Sequence, residues 1–196
     1  MRLAILGSTR GTNLKALVEA INTNELSAKI ELVISDKPEA LILEKARHFG
    51  LNSLLMDPKK LSRAAYDQQL SALLEEHKVE LVVLIGYMRI LSSEFVLTWE
   101  NRIINIHPSL LPLYSGLMDL AVHQAVLDSA DTESGCTVHF VTEEVDLGPI
   151  ILQKKCPVFQ TDNPEQLKSR VQQLEGLALV AALKKIYSER KANQLI

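Results

Sequence analysis

Leu3-Ala4-Ile5-Leu6-Gly7-Ser8-Thr9-Arg10-Gly11-Thr12-Asn13 runs from an apolar stretch into a polar, glycine-punctuated loop and on to a helix start. Leu14, Leu17, Val18 and Ile21 then recur at helical spacing, so the segment reads as strand, loop, helix. The texture repeats. Ile30–Ile34, Leu81–Ile85 and Ile103–Ile106 are short runs rich in Ile, Val and Leu, as expected of strands covered on both faces. Ala40–Phe49 and Ala64–His77 carry helical patterns between them, with Tyr66, Leu70, Leu73 and Leu74 on one side of the second. Strand–helix–strand repetition predicts right-handed crossovers and an α/β, doubly wound, mostly parallel sheet.

The second half changes character. Cys136–Val141 alternates as an antiparallel or edge strand would, Glu144–Pro149 reads as a turn, and Ile150–Val158 closes a hairpin. Asn163 as N-cap, Pro164 at the first helical position and Glu165 and Gln166 in the first turn then open a long helix reaching about Lys191. Leu167, Val171, Leu174, Ala178 and Ala181 share one face of it. No internal repeat or linker interrupts the chain, which predicts a single domain over 1–196.

Composition narrows the class. With 196 residues, 47% of them hydrophobic, the chain is long enough to bury roughly 70% of its unfolded surface, which excludes a disordered segment. Lys and Arg total 21 against 24 Asp and Glu, a net charge of −3, so no basic footprint for nucleic acid exists. No apolar run approaches the ~20 residues that span a bilayer, and the apolar start is too short for a signal peptide. Cys136 and Cys156 belong to no CxxC, so neither a disulfide framework nor a zinc site is indicated. The expectation is a soluble cytoplasmic protein, without metal, membrane or nucleic-acid partner.

Four segments carry chemistry. The Gly7–Asn13 loop offers backbone N–H groups and a helix N-terminus to an anion. It is neither GxGxxG nor GxxxxGK[ST], and an ordinary turn capped by Thr12 or Asn13 is the alternative. Asn105 and His107 stand two apart at the carboxyl end of an apolar strand, on one face, ended by Pro108. A carboxamide and an imidazole there suit a developing oxyanion and a moving proton. The charged turn Glu143–Pro149 is a solvated loop unless it folds over that strand end, where Asp146 could orient His107 and His139 could sit nearby. Gly86-Tyr87-Met88-Arg89-Ile90-Leu91 suits either a pocket for a flat heteroaromatic ligand or packing beneath a loop. His48 and His77 read as surface residues, and nothing around His123 suggests a role. A Ser109–His107–Asp146 hydrolase set lacks the GxSxG elbow and places Ser109 only two residues from His107.

Taken together, Gly86-Tyr-Met-Arg-Ile-Leu-Ser, Asn105-Ile-His-Pro-Ser-Leu-Leu-Pro, Gly135-Cys-Thr-Val-His-Phe-Val and Asp146-Leu-Gly-Pro-Ile resemble the folate-dependent formyltransferase family. The likeness runs from Gly11-Thr12-Asn13-Leu14 to Arg170-Val171-Gln172, and the glycine-rich loop followed by Asn-Leu points to the branch that formylates glycinamide ribonucleotide. The resemblance implies a Rossmann-like fold, with phosphate binding in the N-terminal half and folate binding and catalysis in the C-terminal half. It implies transfer of the formyl group of 10-formyltetrahydrofolate, as cosubstrate, to the substrate amine, giving formylglycinamide ribonucleotide and tetrahydrofolate in de novo purine (IMP) synthesis. On the same basis Asn105, His107 and Asp146 are the catalytic trio, and Gly11, Thr12, Asn13 and Glu175 bind the ribonucleotide. Arg63, Met88, Arg89, Ile90, Leu91 and Asn105 contact the folate. The assembly is a monomer or homodimer. Two departures stand out: Gly176 replaces a histidine that often follows the glutamate, and Leu117–Val122 belongs to a longer segment than the shortest members have. Formyltetrahydrofolate deformylase and the tRNA-formylating relatives are expected to carry an extra domain before or after this region. A silent nucleotide- or folate-binding module would need no Asn–His–Asp set.

Overall fold

The computed structural model describes residues 1–59 and 61–193; Lys60 and residues 194–196 of the expected 1–196 span lie outside the described residues. The elements are β1 (Arg2–Leu6), α1 (Leu14–Asn22), β2 (Lys29–Ser35), α2 (Leu41–His48), β3 (Ser53–Leu55), α3 (Arg63–Glu76), β4 (Leu81–Leu84) and α4 (Ser93–Thr98). β5 (Ile103–His107), α5 (Leu120–Asp128), β6 (Glu133–Phe140), β7 (Ile150–Pro157) and α6 (Pro164–Asn193) complete the chain. One sheet holds all seven strands in the order β3-β2-β1-β4-β5-β6-β7. β1 to β5 pair in parallel, while β6 and β7 are antiparallel, as the change in texture predicts.

The apolar strand runs are buried on both sides because helices cover both faces. Leu3, Ile5, Leu81, Val83, Ile104 and Ile106 pack with apolar residues of α1, α2, α5 and α6. Ala4, Leu6, Val82, Leu84 and Ile103 pack instead with Tyr66, Leu70 and Leu74 of α3 and Phe95 of α4. Burial at roughly 1.5–3 kcal/mol per large side chain makes these two layers the main source of stability. β3 and α4 had no signal in the periodicity, being three and six residues long. The long helix starts as expected: Gln166 N–H donates to Asn163 Oδ1 and Asn163 N–H to Gln166 Oε1, both at 2.9 Å, a reciprocal cap.

Two consequences of this topology place the site. The strand order reverses between β1 and β4, so the loops that follow them lead to helices on opposite faces and leave a crevice, where open α/β sheets bind ligands. Antiparallel pairing of β5 with β6 sets Asn105 opposite His139 and His107 opposite Thr137, bringing four polar side chains to one face at the strand end. The sheet's edges are β3 and β7; the Ile151 and Pro157 carbonyls of β7 accept from Lys185 Nζ (3.2 Å) and Arg170 Nη1 (2.9 Å) of α6.

Candidate active site

The β1–α1 loop is shaped by its backbone. Gly11 has φ +57°, and a Cβ there would come within 2.4 Å of Ile42 on α2, so any side chain is excluded. Asn13 is the N-cap residue of α1, but its amide does not cap the helix. Nδ2 donates instead to Glu175 Oε2 on α6 at 2.7 Å, and both residues are buried. Burial pushes the Glu175 carboxyl above its ordinary range, against the opposing pull of Asn13 and of nearby Lys168. Thr12 is exposed beside them. Gly176 lets α6 approach α1, since a Cβ there would meet Ala16 Cβ at 2.7 Å. The loop is tied across the crevice: Ser8 Oγ donates to Asp36 Oδ1 (2.6 Å) and accepts from Met88 N–H (2.8 Å), and Ser8 N–H donates to the Gly86 carbonyl (3.0 Å).

At the end of β5 the hairpin turn does fold over His107. Asp146 adopts φ +59°, and its Oδ2 lies 3.3 Å from His107 Nδ1 while accepting from Gly116 N–H at 2.9 Å. Gly148 permits the fold-over, because a Cβ at that position would lie 1.8 Å from the Phe140 carbonyl oxygen. His107 Nε2 faces the Tyr114 carbonyl at 3.2 Å. Both ring nitrogens therefore face acceptors, and only the imidazolium serves both with a proton.

A carboxylate this close favours the charged ring and would by itself raise the His107 pKa above its ordinary value. Burial lowers it by more than the Asp146 carboxylate and the Tyr114 carbonyl raise it. The ring is thus kept neutral, ready to take a proton. Ser109 is buried and its hydroxyl donates to the Leu113 carbonyl at 2.6 Å, not to His107, as a Ser–His nucleophile pair would require.

His139, expected near the turn, and Thr137, for which the sequence carries no signal, complete this end of the strand pair. His139 Nδ1 lies 2.9 Å from the Phe140 carbonyl, which places a proton on Nδ1 and leaves Nε2 as an acceptor for Asn105 Nδ2 at 3.2 Å. Burial, the largest effect, lowers the His139 pKa and keeps that ring neutral too. One N–H of the Asn105 amide is so fixed, and the other has no partner among the described residues. Thr137 Oγ1 donates to the Ser109 carbonyl (2.7 Å) and accepts from Leu111 N–H (3.0 Å), pinning the segment after Pro108.

The β4–α4 loop divides its residues. Met88 and Ile90 are exposed, at 47% and 59%, while Leu91 belongs to the core. The Arg89 guanidinium lies over the Tyr66 ring at 4.3 Å, and its Nε is buried with no protein partner among the described residues. Burial raises the Asp67 carboxyl above its ordinary range against the pull of Ser92 N–H, which donates to Asp67 Oδ2 at 2.6 Å, and of Arg89 and Arg63, the latter exposed at the start of α3. His123, given no role from its surroundings in sequence, is buried in α5 and influenced by His107, Asp119 and Lys168.

A crevice at the switch point of a mostly parallel sheet, with buried His107 between half-buried Asn105 and Asp146 at its margin, is the setting in which α/β enzymes place acid–base chemistry. The chain belongs to the formyl transferase family, whose model matches residues 1–183. It is 42% identical over 176 residues to phosphoribosylglycinamide formyltransferase of Escherichia coli, covering 89% of this chain and 82% of the relative. It is 43% identical over 185 residues to the trifunctional purine biosynthetic protein adenosine-3 of Drosophila melanogaster, covering 93% of this chain but spanning only 14% of that relative's length. The crystal structure of glycinamide ribonucleotide transformylase 1 from Symbiobacterium toebii superposes with a TM-score of 0.89 at 40% identity, over 93% of this chain and 85% of that one. Among the described residues no helix is long and apolar enough to cross a membrane.

Proposed function

We propose that this protein transfers the formyl group of 10-formyltetrahydrofolate to the amine of glycinamide ribonucleotide, releasing tetrahydrofolate and formylglycinamide ribonucleotide for purine synthesis. The observation that carries the reading is the Asn105–His107–Asp146 arrangement beside the crevice. The Gly11–Asn13 loop and Glu175 take the phosphate and ribose from the β1 side, in the N-terminal half. Met88, Arg89, Ile90 and Arg63 take the pterin from the β4 side, with Leu91 packed in the core beneath them. The catalytic residues come from the C-terminal half. Both partners are small molecules, and the reading is of a soluble cytoplasmic enzyme, monomeric or homodimeric, without nucleic acid.

The chemistry follows from the side chains. The substrate amine attacks the formyl carbon, a C–N bond forms, and the carbonyl oxygen gains negative charge. The free N–H of Asn105 donates to that oxygen, a contribution worth about 2.7–4 kcal/mol in comparable sites. Neutral His107 accepts the proton shed by the attacking nitrogen, with Asp146 stabilising the imidazolium. It then returns the proton to the folate nitrogen as the second C–N bond breaks. No covalent enzyme intermediate is needed.

The test is an assay of 10-formyltetrahydrofolate consumption with and without glycinamide ribonucleotide. Turnover that requires the ribonucleotide and yields its formyl derivative is expected. Release of formate at the same rate without it would overturn the reading in favour of hydrolysis.

A further inference from the structure

The Gly7–Asn13 loop has one cation, Arg10, which is exposed and adds to the burial that lowers the pKa of Lys45 on α2. Phosphate binding at such loops ordinarily recruits a lysine as well as backbone donors. α6 holds one on the correct stripe. Lys168, Gln172 and Glu175 fall at i, i+4 and i+7, on one side of the helix, and Glu175 is the residue bonded to Asn13 at the start of α1. Lys168 is near enough to Glu175 to oppose the upward shift of its carboxyl.

Its present partner is Asp119, in the longer segment that sets this chain apart. Asp119 sits at φ 53°, ψ −131°, a region non-glycine residues avoid, and though it is the N-cap residue of α5 its side chain makes no cap bond there. The pair is open to water, with the Asp119 side chain 70% exposed, and ion pairs of that kind are weak. A phosphate monoester carries about −1.5 to −2 charges near neutral pH against one on the carboxylate. His123 of α5, 1% exposed, lies within electrostatic reach of both members of the pair, its Nδ1 without a protein partner among the described residues. Orphaned buried nitrogens call for a partner, and this one lies near both Lys168 and His107.

We propose that Lys168 is a phosphate-binding cation, held by Asp119 in the empty cleft and released to the ribonucleotide phosphate when it enters. This rests on the reaction proposed above. The charge-exchange view makes the two members of the pair act oppositely. Lys168→Met removes the ligand, whereas Asp119→Asn removes the competitor. If the pair only fastened the 117–122 segment, both changes would break the same fastening and act alike.

The experiment is calorimetric titration of the intact protein with ribose 5-phosphate, with ribose as the phosphate-free control, alongside KM for each substrate. Lys168→Met is expected to weaken ribose 5-phosphate about tenfold and raise the ribonucleotide KM similarly, leaving the folate KM in place, since a charge-assisted contact is worth about that much. Asp119→Asn is expected to tighten ribose 5-phosphate by up to about fivefold, the reach of an exposed ion pair. Shifts of the same sign in both variants, or no shift in Lys168→Met, overturn the proposal. Opposite shifts in a protein that transfers no formyl group would uphold the phosphate site while refuting the reaction.

Discussion

Replacing Asp146 by Asn removes a charge and keeps a shape. The amide oxygen still accepts from Gly116 N–H, so the loop around Tyr114 keeps its anchor. What is lost is the carboxylate 3.3 Å from His107 Nδ1. Two unit charges at ~4 Å interact by about 4 kcal/mol at an effective dielectric of 20, and an opposite charge this close ordinarily moves a pKa by about 1–3 units. His107 already titrates below its ordinary range because burial outweighs Asp146. The variant should therefore titrate lower still, by roughly 1–2 units. A weaker proton acceptor slows the step that strips the amine, and turnover should fall at least about tenfold, equivalent to ~1.4 kcal/mol. Since a base works above its own pKa, the acid limb of the rate profile should shift to lower pH while its plateau drops. NMR titration of the His107 ring, read beside formyl-transfer rates, measures both. A titration curve and a turnover identical to wild type would show that Asp146 serves only as the hydrogen-bond acceptor of Gly116.

Three further changes probe other parts of the molecule. Asn105→Ala should cut turnover by about 10²–10³ with little change in stability, as its free N–H matters only once charge develops; a variant of full activity removes the oxyanion role. Gly176→Ala gains about 1 kcal/mol of helix propensity but forces a methyl to 2.7 Å from Ala16 Cβ, so urea unfolding should show a net loss near 1 kcal/mol. A more stable variant would mean that α1 and α6 separate freely. His123, buried, is held neutral down to about pH 4 by burial and Lys168, whereas the unfolded chain protonates it near 6.5. The unfolded state thus binds more protons between those values, and stability should fall by roughly 3 kcal/mol as pH drops from 6.5 to 4. His123→Asn should flatten that limb in denaturant titrations, and an unaltered limb would assign the acid sensitivity elsewhere.

The parallel sheet was legible because its strands are continuous apolar runs and its helices keep their period. β3 and α4 were not, since three half-exposed residues and two helical turns leave no pattern to find. Asn105 and His107 announced themselves as polar residues ending an apolar strand. Asp146 and His139 could be named as neighbours only on the condition that the turn folds over, since the β5–β6 register decides it; the Tyr114 carbonyl facing His107 and the Gly116 N–H holding Asp146 are backbone groups that any residue would supply. The sign of the His107 shift was beyond reading, because it is a contest between a visible carboxylate and a burial that only packing creates. Asn13 likewise looked like a local helix cap, yet its amide serves Glu175, 162 positions away.

The sheet's rims bear on how the protein behaves when crowded. An open strand edge recruits other chains by offering unpaired backbone groups, and that is how folded domains begin to aggregate. Here β3 is three residues long, too short to template much pairing. Along β7, guanidinium and ammonium groups from α6 occupy the Ile151 and Pro157 carbonyls, and Lys154 and Lys155 add charge to the strand itself. An incoming strand would have to displace two cations and lie against two more, so colloidal solubility is built into the same long helix that carries Glu175.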